Sequence, residues 1–283
     1  MKTYSASAYA KINLSLDILG KLPNGYHSVE MVMQQIPLSD EVTVSVEKGN
    51  EIFLSCSNPS VPTDHSNTAY KAARLFLDET ELSAKIRIHI EKNIPVAAGM
   101  AGGSTDGAAV LKLLNQAFDN PLSEEKILKL CLNIGADVPF CYLGGCALSR
   151  GIGEILTPVS SLKNAYIVIG KPQLDVSTKW VYQNFKLENV TKHPDTSSVI
   201  SAISNGDLAL LKNSSANVLE SVTEKEYPVI SDYKKLLNDN GAVFSMMSGS
   251  GPTVFGIFDN KTMSEVAYDE ISKLTNDSYL LRI

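Results

Sequence analysis

The sequence has little that would draw it to nucleic acid, into a membrane or into a disulfide-stapled fold. It carries 25 Lys and Arg against 31 Asp and Glu, a net charge of -6, so no basic field favours nucleic acid or an anionic surface. No apolar run approaches the roughly 18 residues of a membrane span. The opening MKTYSASAYAKINLSLDILG is polar at alternate positions and lacks the apolar core of a secretory signal, which predicts a cytoplasmic location. The four cysteines, Cys56, Cys131, Cys141 and Cys146, form no CxxC pair, and no histidine spacing completes a zinc site around them, so they are expected to be reduced thiols. No DxD or clustered carboxylates point to a dedicated metal cage. An anionic ligand would have to be held by local donors.

What is present is ordinary folded-protein chemistry: 44% hydrophobic and 20% charged residues over 283 positions, enough for one large or two modest cores. In AKINLSLDI, Ile12, Leu14, Leu16 and Ile18 alternate with Lys11, Asn13, Ser15 and Asp17, the period of a strand with one polar face. EVTVSVE, EIFLSC and KIRIHIE read the same way, and LPNGYHS (22–28) is turn chemistry. Helices are expected from Ser66 or Asn67 onward, on the stripe Val110, Leu113, Leu114, Ala117 and Phe118, and over SEEKILKLCLNIG, which stops at Gly135. A break at AYIVIGKPQ (165–173) precedes helical patterns near 176–185, 206–220, 228–239 and 261–274, with strands near 242–247, 253–258 and 278–283. The pattern predicts an α+β chain of two lobes sharing one cleft, divided into residues 1–160 and 161–283.

The densest small-residue stretch is PVAAGMAGGSTDGAA (95–109), with four glycines and Ser104-Thr105-Asp106 in its middle. It lies between a strand and a helix. Helix N-termini leave backbone N–H groups unpaired at a positive dipole end, and glycine lets a phosphate approach them. Ser104, Thr105 and Asp106 are natural helix N-terminal residues, and the two hydroxyls could meet a phosphate or its magnesium. The P-loop lysine is missing, and Gly99-x-x-Gly102-Gly103 is not the dinucleotide spacing. Close helix–strand packing through small residues is the alternative that chemistry alone leaves open.

This stretch resembles the glycine loop of the galactokinase, homoserine kinase, mevalonate kinase and phosphomevalonate kinase (GHMP) superfamily. Two companion motifs are in order, AKINLSLDILGKLPNGYHS near the start and MMSGSGPTVFG (246–256) near the end. The pairing of Lys11-Ile12-Asn13-Leu14 with Gly25-Tyr26-His27, the stretch GADVPFCYLGGCALSRGIGE (135–154) and GKPQLDVSTKWVY (170–182) resemble the branch whose alcohol substrate carries a cytidine diphosphate. Ala98, Ala101 and Thr105 depart from that family's usual glycines and serine but stay small, and Ser177-Thr178-Lys179 stands where relatives often carry prolines.

The resemblance implies a two-lobed GHMP kinase fold, with a mixed-sheet N-terminal lobe, a ferredoxin-like C-terminal lobe and the active site between them. It implies an ATP-binding loop over Pro95, Val96, Ala97, Ala98, Gly99, Met100, Ala101, Gly102, Gly103, Ser104 and Thr105, with Mg2+ on Ser104. Asp137 is the implied proton acceptor, placed just past a helix end in a turn fixed by Pro139. Lys11 is expected to pair with Asp137 and stabilise developing alkoxide charge. Substrate contacts are implied for Asn13, for Tyr26, His27 and Tyr182 around the cytosine, for Thr178, and for the backbone of Gly249, Ser250 and Gly251. The expected partners are ATP and a small cytidyl diphosphate alcohol, the expected assembly a monomer or homodimer. A sister kinase for another small alcohol, or a non-catalytic ligand-binding paralogue, are the competing readings.

Overall fold

The structure is a computed structural model and describes residues 2–23 and 25–283; Asn24 of the expected 22–28 turn lies outside the described residues. Two long strands open the chain, β1 (Lys2–Lys21) and β2 (His27–Glu47), paired with each other. Both outrun the sequence expectation, which marked only AKINLSLDI and EVTVSVE. The chain divides into two compact units. The first takes the chain as far as Ala10, with Leu38–Val96 and Ala101–Gly144; the second takes Lys11–Pro37, Ala97–Met100 and Gly145–Ile283. They interleave along the sequence because β1 and β2 each contribute to both.

In the first unit follow β3 (Ile52–Cys56), α1 (Thr68–Thr80), β4 (Lys85–Glu91), α2 (Gly102–Ala117), α3 (Glu124–Ile134) and α4 (Val138–Leu143). β4 runs antiparallel to the end of β2, with Val44 opposite Ile88, and parallel to β3. Its alternation holds as predicted: Ile86, Ile88 and Ile90 are buried and face the α1 and α2 side chains Phe76, Val110, Leu113 and Leu114 in one core. Truncating a fully buried phenylalanine such as Phe76 costs about 3–5 kcal/mol in such a setting. α1 starts where its cap predicts, with Asn67 accepting from Ala69 N–H, and α3 has Ser123 at its start and Gly135 at its end.

In the second unit, β5 (Cys146–Arg150) pairs antiparallel with Met31–Gln34 of β2 and with β6 (Ile155–Pro158). Next come β7 (Tyr166–Gly170), α5 (Thr178–Asn184), a 3-10 turn at Leu187–Asn189, α6 (Thr196–Asn205), α7 (Leu208–Ser214), α8 (Glu220–Glu226) and α9 (Val229–Asp239). β8 (Phe244–Met247), β9 (Val254–Phe258), α10 (Lys261–Ser272) and β10 (Ser278–Arg282) complete it. The four strands form an antiparallel sheet in the order β10-β7-β9-β8. α9 and α10 pack Ile230, Tyr233, Leu237, Ala267 and Ile271 as buried faces, as their 3.6-residue period dictates.

Two expectations change here. The helix expected over 206–220 is two helices, because residues 216–218 are drawn out against β1: Leu16 N–H donates to Ala216 O at 2.9 Å and Val218 N–H to Leu16 O at 3.0 Å. α6 was not anticipated, although Asp195 caps it through Ser198 N–H and Gly206 ends it. Among the described residues, no helix is long and apolar enough to cross a membrane.

Candidate active site

The first unit carries the helix that the glycine stretch opens. The N-cap of α2 is Ala101, in the left-handed region (φ 60°, ψ 27°), and no side chain caps it. The first amide bonded back is that of Thr105, to Ala101 O at 2.9 Å. The Gly102, Gly103 and Ser104 amides therefore stand at the helix tip, at the positive end of its dipole. Ser104, Thr105 and Asp106 lie at the N-terminal end of the helix as expected, but none of them caps it, because the left-handed Ala101 supplies the turn that starts it at Gly102.

Their side chains have separate fates. The Thr105 hydroxyl donates to Tyr9 O at 2.9 Å and fastens α2 to β1, while its N–H closes the first helical turn on Ala101 O, so neither proton is offered outward. Ser104 is half-buried, and its hydroxyl has no hydrogen-bond partner among the described residues. Asp106 is buried against Lys92, whose ammonium donates to Asp106 Oδ2 at 2.6 Å and to Asp40 Oδ2 at 2.5 Å. Burial raises the Asp106 carboxyl, and the nearby Asp40 charge adds to this against the pull of Lys92, leaving it at about 7. Burial works against the Lys92 charge too, but its two carboxylates outweigh that and hold it above the usual lysine range. Lys92 and Asp40 were not singled out in the sequence, where each reads as a solvated residue beside a strand.

Asp137 belongs to this unit as well. It holds the N-cap position of α4, half-buried, without a side-chain capping bond. Pro139 does not fix a turn after it. It sits in the first turn of α4, where a missing N–H costs nothing.

In the second unit the alternation of β1 has an unexpected consequence. Its polar face is buried like its apolar one: Lys11 is 4% exposed, Asn13 and Ser15 0%, and Asp17 8%. Each is paired. Lys11 Nζ donates to Asn13 Oδ1 at 2.7 Å and to Gly99 O at 3.1 Å, Ser15 Oγ accepts from Val32 N–H, and Asp17 meets His193 Nδ1 at 2.8 Å. A lysine on an alternating strand usually faces solvent; this one is inside, against the glycine loop.

The loop segment Ala97–Met100 packs on the turn after β8. Ser248 Oγ donates to Gly99 O at 3.0 Å, so that carbonyl receives both this hydroxyl and the Lys11 ammonium. A Cβ on Gly99, whose φ is +70°, would lie 2.3 Å from Ser248 O. No other residue fits there. Ala98 and Met100 are buried and leave only backbone to a ligand, while Ala97 and Val96 are exposed. In the same unit the His27 ring lies 5.4 Å from that of Tyr182 and 6.2 Å from that of Phe185, whereas Tyr26 is 61% exposed. Burial, then the Lys21 charge, lowers the His27 pKa. The Thr178 and Ser250 hydroxyls bond at 2.8 Å, which ties the start of α5 to the serine–glycine turn. Phe185 was missed because it falls one turn beyond the quoted 170–182 stretch.

The first unit thus opens α2 on a tip without a side-chain cap, beside Ser104, and the second brings the buried Lys11, the Gly99 carbonyl and the serine–glycine turn together. The chain matches the family model for the GHMP kinases N terminal domain over residues 67–145 and that for GHMP kinases C terminal over 199–276; it belongs to the GHMP kinases. A 4-diphosphocytidyl-2-C-methyl-D-erythritol kinase of Alkaliphilus metalliredigens is 45% identical over 100% of this chain and 97% of that one. One of Lachnoclostridium phytofermentans is 48% identical over 95% and 93%. A crystal structure of 4-(cytidine 5'-diphospho)-2C-methyl-D-erythritol kinase superposes with a TM-score of 0.84 at 27% identity, covering 98% of each chain. A homoserine kinase from Cytophaga hutchinsonii shares the fold, with a TM-score of 0.80 at 19% identity over 100% of this chain and 96% of that one.

Proposed function

We propose that this chain transfers the γ-phosphoryl group of ATP to the 2-hydroxyl of 4-diphosphocytidyl-2-C-methyl-D-erythritol, in the non-mevalonate route to isoprenoid precursors and in the cytoplasm. The observation that carries phosphoryl transfer is the buried Lys11 ammonium bonded to the Gly99 carbonyl, which joins a fixed cation to the glycine loop. The His27, Tyr182 and Phe185 rings and the full-length likeness to kinases of that name support the cytidyl substrate.

On this reading the α2 tip and the backbone of residues 95–104 take the ATP phosphates, within a nucleotide-binding half of residues 1–160, and residues 161–283 form the second half. The 2-hydroxyl oxygen bonds to the γ-phosphorus as the bond to the β,γ-bridging oxygen breaks; ADP leaves, and the hydroxyl proton passes to Asp137. A carboxylate is far too weak a base to ionise an alcohol early. The proton moves late, and Asp137 chiefly orients the hydroxyl in a loose transition state. Lys11 stabilises the oxygen's developing charge, and Asn13, which now accepts from Lys11, holds the same substrate.

The residues fit a magnesium ion carried on the nucleotide. The Ser104 hydroxyl is free to hold it, and among the described residues no group of three or more His, Cys, Asp or Glu could hold a metal. Its remaining ligands would be phosphate oxygens and water. When bound, such an ion neutralises phosphate charge. The test is ADP release in a coupled assay with the cytidyl substrate, homoserine and mevalonate as separate acceptors. Turnover is expected with the first alone; comparable turnover of either other alcohol overturns the assignment.

A further inference from the structure

The serine–glycine turn is held from behind by a residue that none of the family motifs includes. Asn217 is 3% exposed. Its Nδ2 donates to Met247 O and to Gly249 O, both at 2.8 Å, and its Oδ1 accepts from Leu219 N–H at 3.0 Å. Two carbonyl partners require the amide nitrogen on that side, so the orientation of the carboxamide follows from its contacts. Three residues on, Glu220 Oε1 accepts from Met247 N–H at 2.7 Å, so Asn217 and Glu220 grip Met247 by its carbonyl and its amide.

The census of this turn is one-sided. Every carbonyl from Met247 to Ser250 is engaged: Met247 and Gly249 by Asn217, Ser248 by Gly251 N–H, and Ser250 by the Thr223 hydroxyl. The Met247, Ser248 and Gly251 amides are engaged as well. The Gly249 and Ser250 amides have no acceptor among the described residues. In a trans peptide the carbonyl and the following N–H point in opposite directions. Holding the Gly249 carbonyl therefore aims the Ser250 N–H away from Asn217. The residue also sits where the chain pairs with β1, at the parallel bridge between Leu16 and Asn217. Lys11 also meets the turn, its Nζ lying 3.5 Å from where a Gly249 Cβ would be.

We infer that Asn217 is a positioning residue for the acceptor substrate: its grip on two carbonyls presents the Ser250 amide to a substrate phosphate and fixes that amide relative to the strand carrying Lys11. The inference rests on the function proposed above, in which this turn meets the phosphate of the cytidyl substrate. A preset amide donor forms a charge-assisted bond without reorganising when the anion arrives.

The test compares CDP with cytidine, which differ by the diphosphate alone. Calorimetry on the full chain should give CDP the tighter binding in wild type, and Asn217→Asp should shrink that advantage at least tenfold while cytidine binding changes by less than threefold. In turnover, KM for the cytidyl substrate should rise at least tenfold, with KM for ATP within threefold. A purely structural loss would lower the active fraction and leave the CDP-to-cytidine ratio untouched; an unchanged ratio overturns the inference. A wild-type chain that binds neither ligand overturns the underlying function and the inference with it. Should Asn217→Asp fail to fold, amide exchange at Ser250 in wild type decides: CDP should slow it at least tenfold beyond the effect of cytidine, and equal rates overturn the inference.

Discussion

Two stretches of this chain present unpaired backbone amides, and they reach that state by different means. At residues 102–104 a helix suffices, because α2 starts on a left-handed Ala101 with no side-chain cap and its first amides have nowhere within the helix to bond. At residues 249–250 there is no helix. Each neighbouring carbonyl is held by a specific donor: Asn217, Thr223 or Gly251. Helical amides are aligned by the backbone itself, so the residues around them need only be small. The peptide planes of a turn can rotate, so buried polar side chains must fix them. The composition follows: alanines and glycines surround the first stretch, while the side chains that set the second come from 32 residues upstream and nearer.

The largest expected effect asks whether both stretches serve one chemical step. Asp137→Asn should lower kcat by about two to four orders of magnitude with KM for either substrate changed by less than about threefold, since the proposed function leaves binding to other residues. Steady-state kinetics checks this, and a variant keeping more than a tenth of wild-type turnover removes Asp137 from the chemistry. The next effect separates loop from helix within the first stretch. Gly99→Ala forces a Cβ to 2.3 Å from Ser248 O at a φ of +70°, and should cost about 2 kcal/mol or more of stability with a matching loss of activity. Gly103→Ala would meet only the Thr68 hydroxyl, at 3.3 Å, in a helical position where alanine is favoured by up to about 1 kcal/mol. Equal destabilisation of the two in urea would erase the distinction between a packed loop and a helix tip.

This contrast also marks how far the sequence could be read. The helix tip was visible, because small residues between an alternating strand and a 3.6-residue stripe have a local meaning. So were α1, α3 and β4, whose caps and periods are local too. What stayed hidden depends on partners remote in sequence. Lys11 and Asn13 read as the wet face of β1, yet both are buried, and nothing nearby announces that Gly99 O receives the ammonium. Asp40, Lys92 and Asp106 are spread over 67 positions of numbering and meet only in the fold. Asn217 fell inside an expected helix, and its extended neighbours follow β1 rather than their own propensity.

A third prediction turns from phosphate to base. His27 packs between Tyr182 and Phe185, away from both amide stretches in its chemistry, so His27→Ala should raise KM for the cytidyl substrate about tenfold or more. Base–aromatic stacking is worth about 1–3 kcal/mol, and ATP should notice the change by less than twofold. If KM for ATP rises in step, the ring cluster is not a cytidine pocket.

The last prediction concerns what lies beneath the helix tip. The turn is supported by neutral amide and hydroxyl groups together with Glu220, whereas α2 stands over Lys92 between two carboxylates. Asp106 is raised from 3.8 to about 7 in the fold, burial being the first cause, and among the described residues its Oδ1 has no hydrogen-bond partner. Between those values the native chain binds a proton that the unfolded chain has released, so this contribution to stability is fully present below about pH 3.8 and is lost as pH rises through about 7. Asp106→Asn cannot titrate. Its stability relative to wild type should therefore improve from pH 4.5 to pH 7 and level off above, whatever constant offset the lost charge adds against Lys92. Urea denaturation across that range reads the slope directly. Parallel curves for the two proteins would mean that Asp106 stays ionised and that the helix tip rests on a full pair of negative charges.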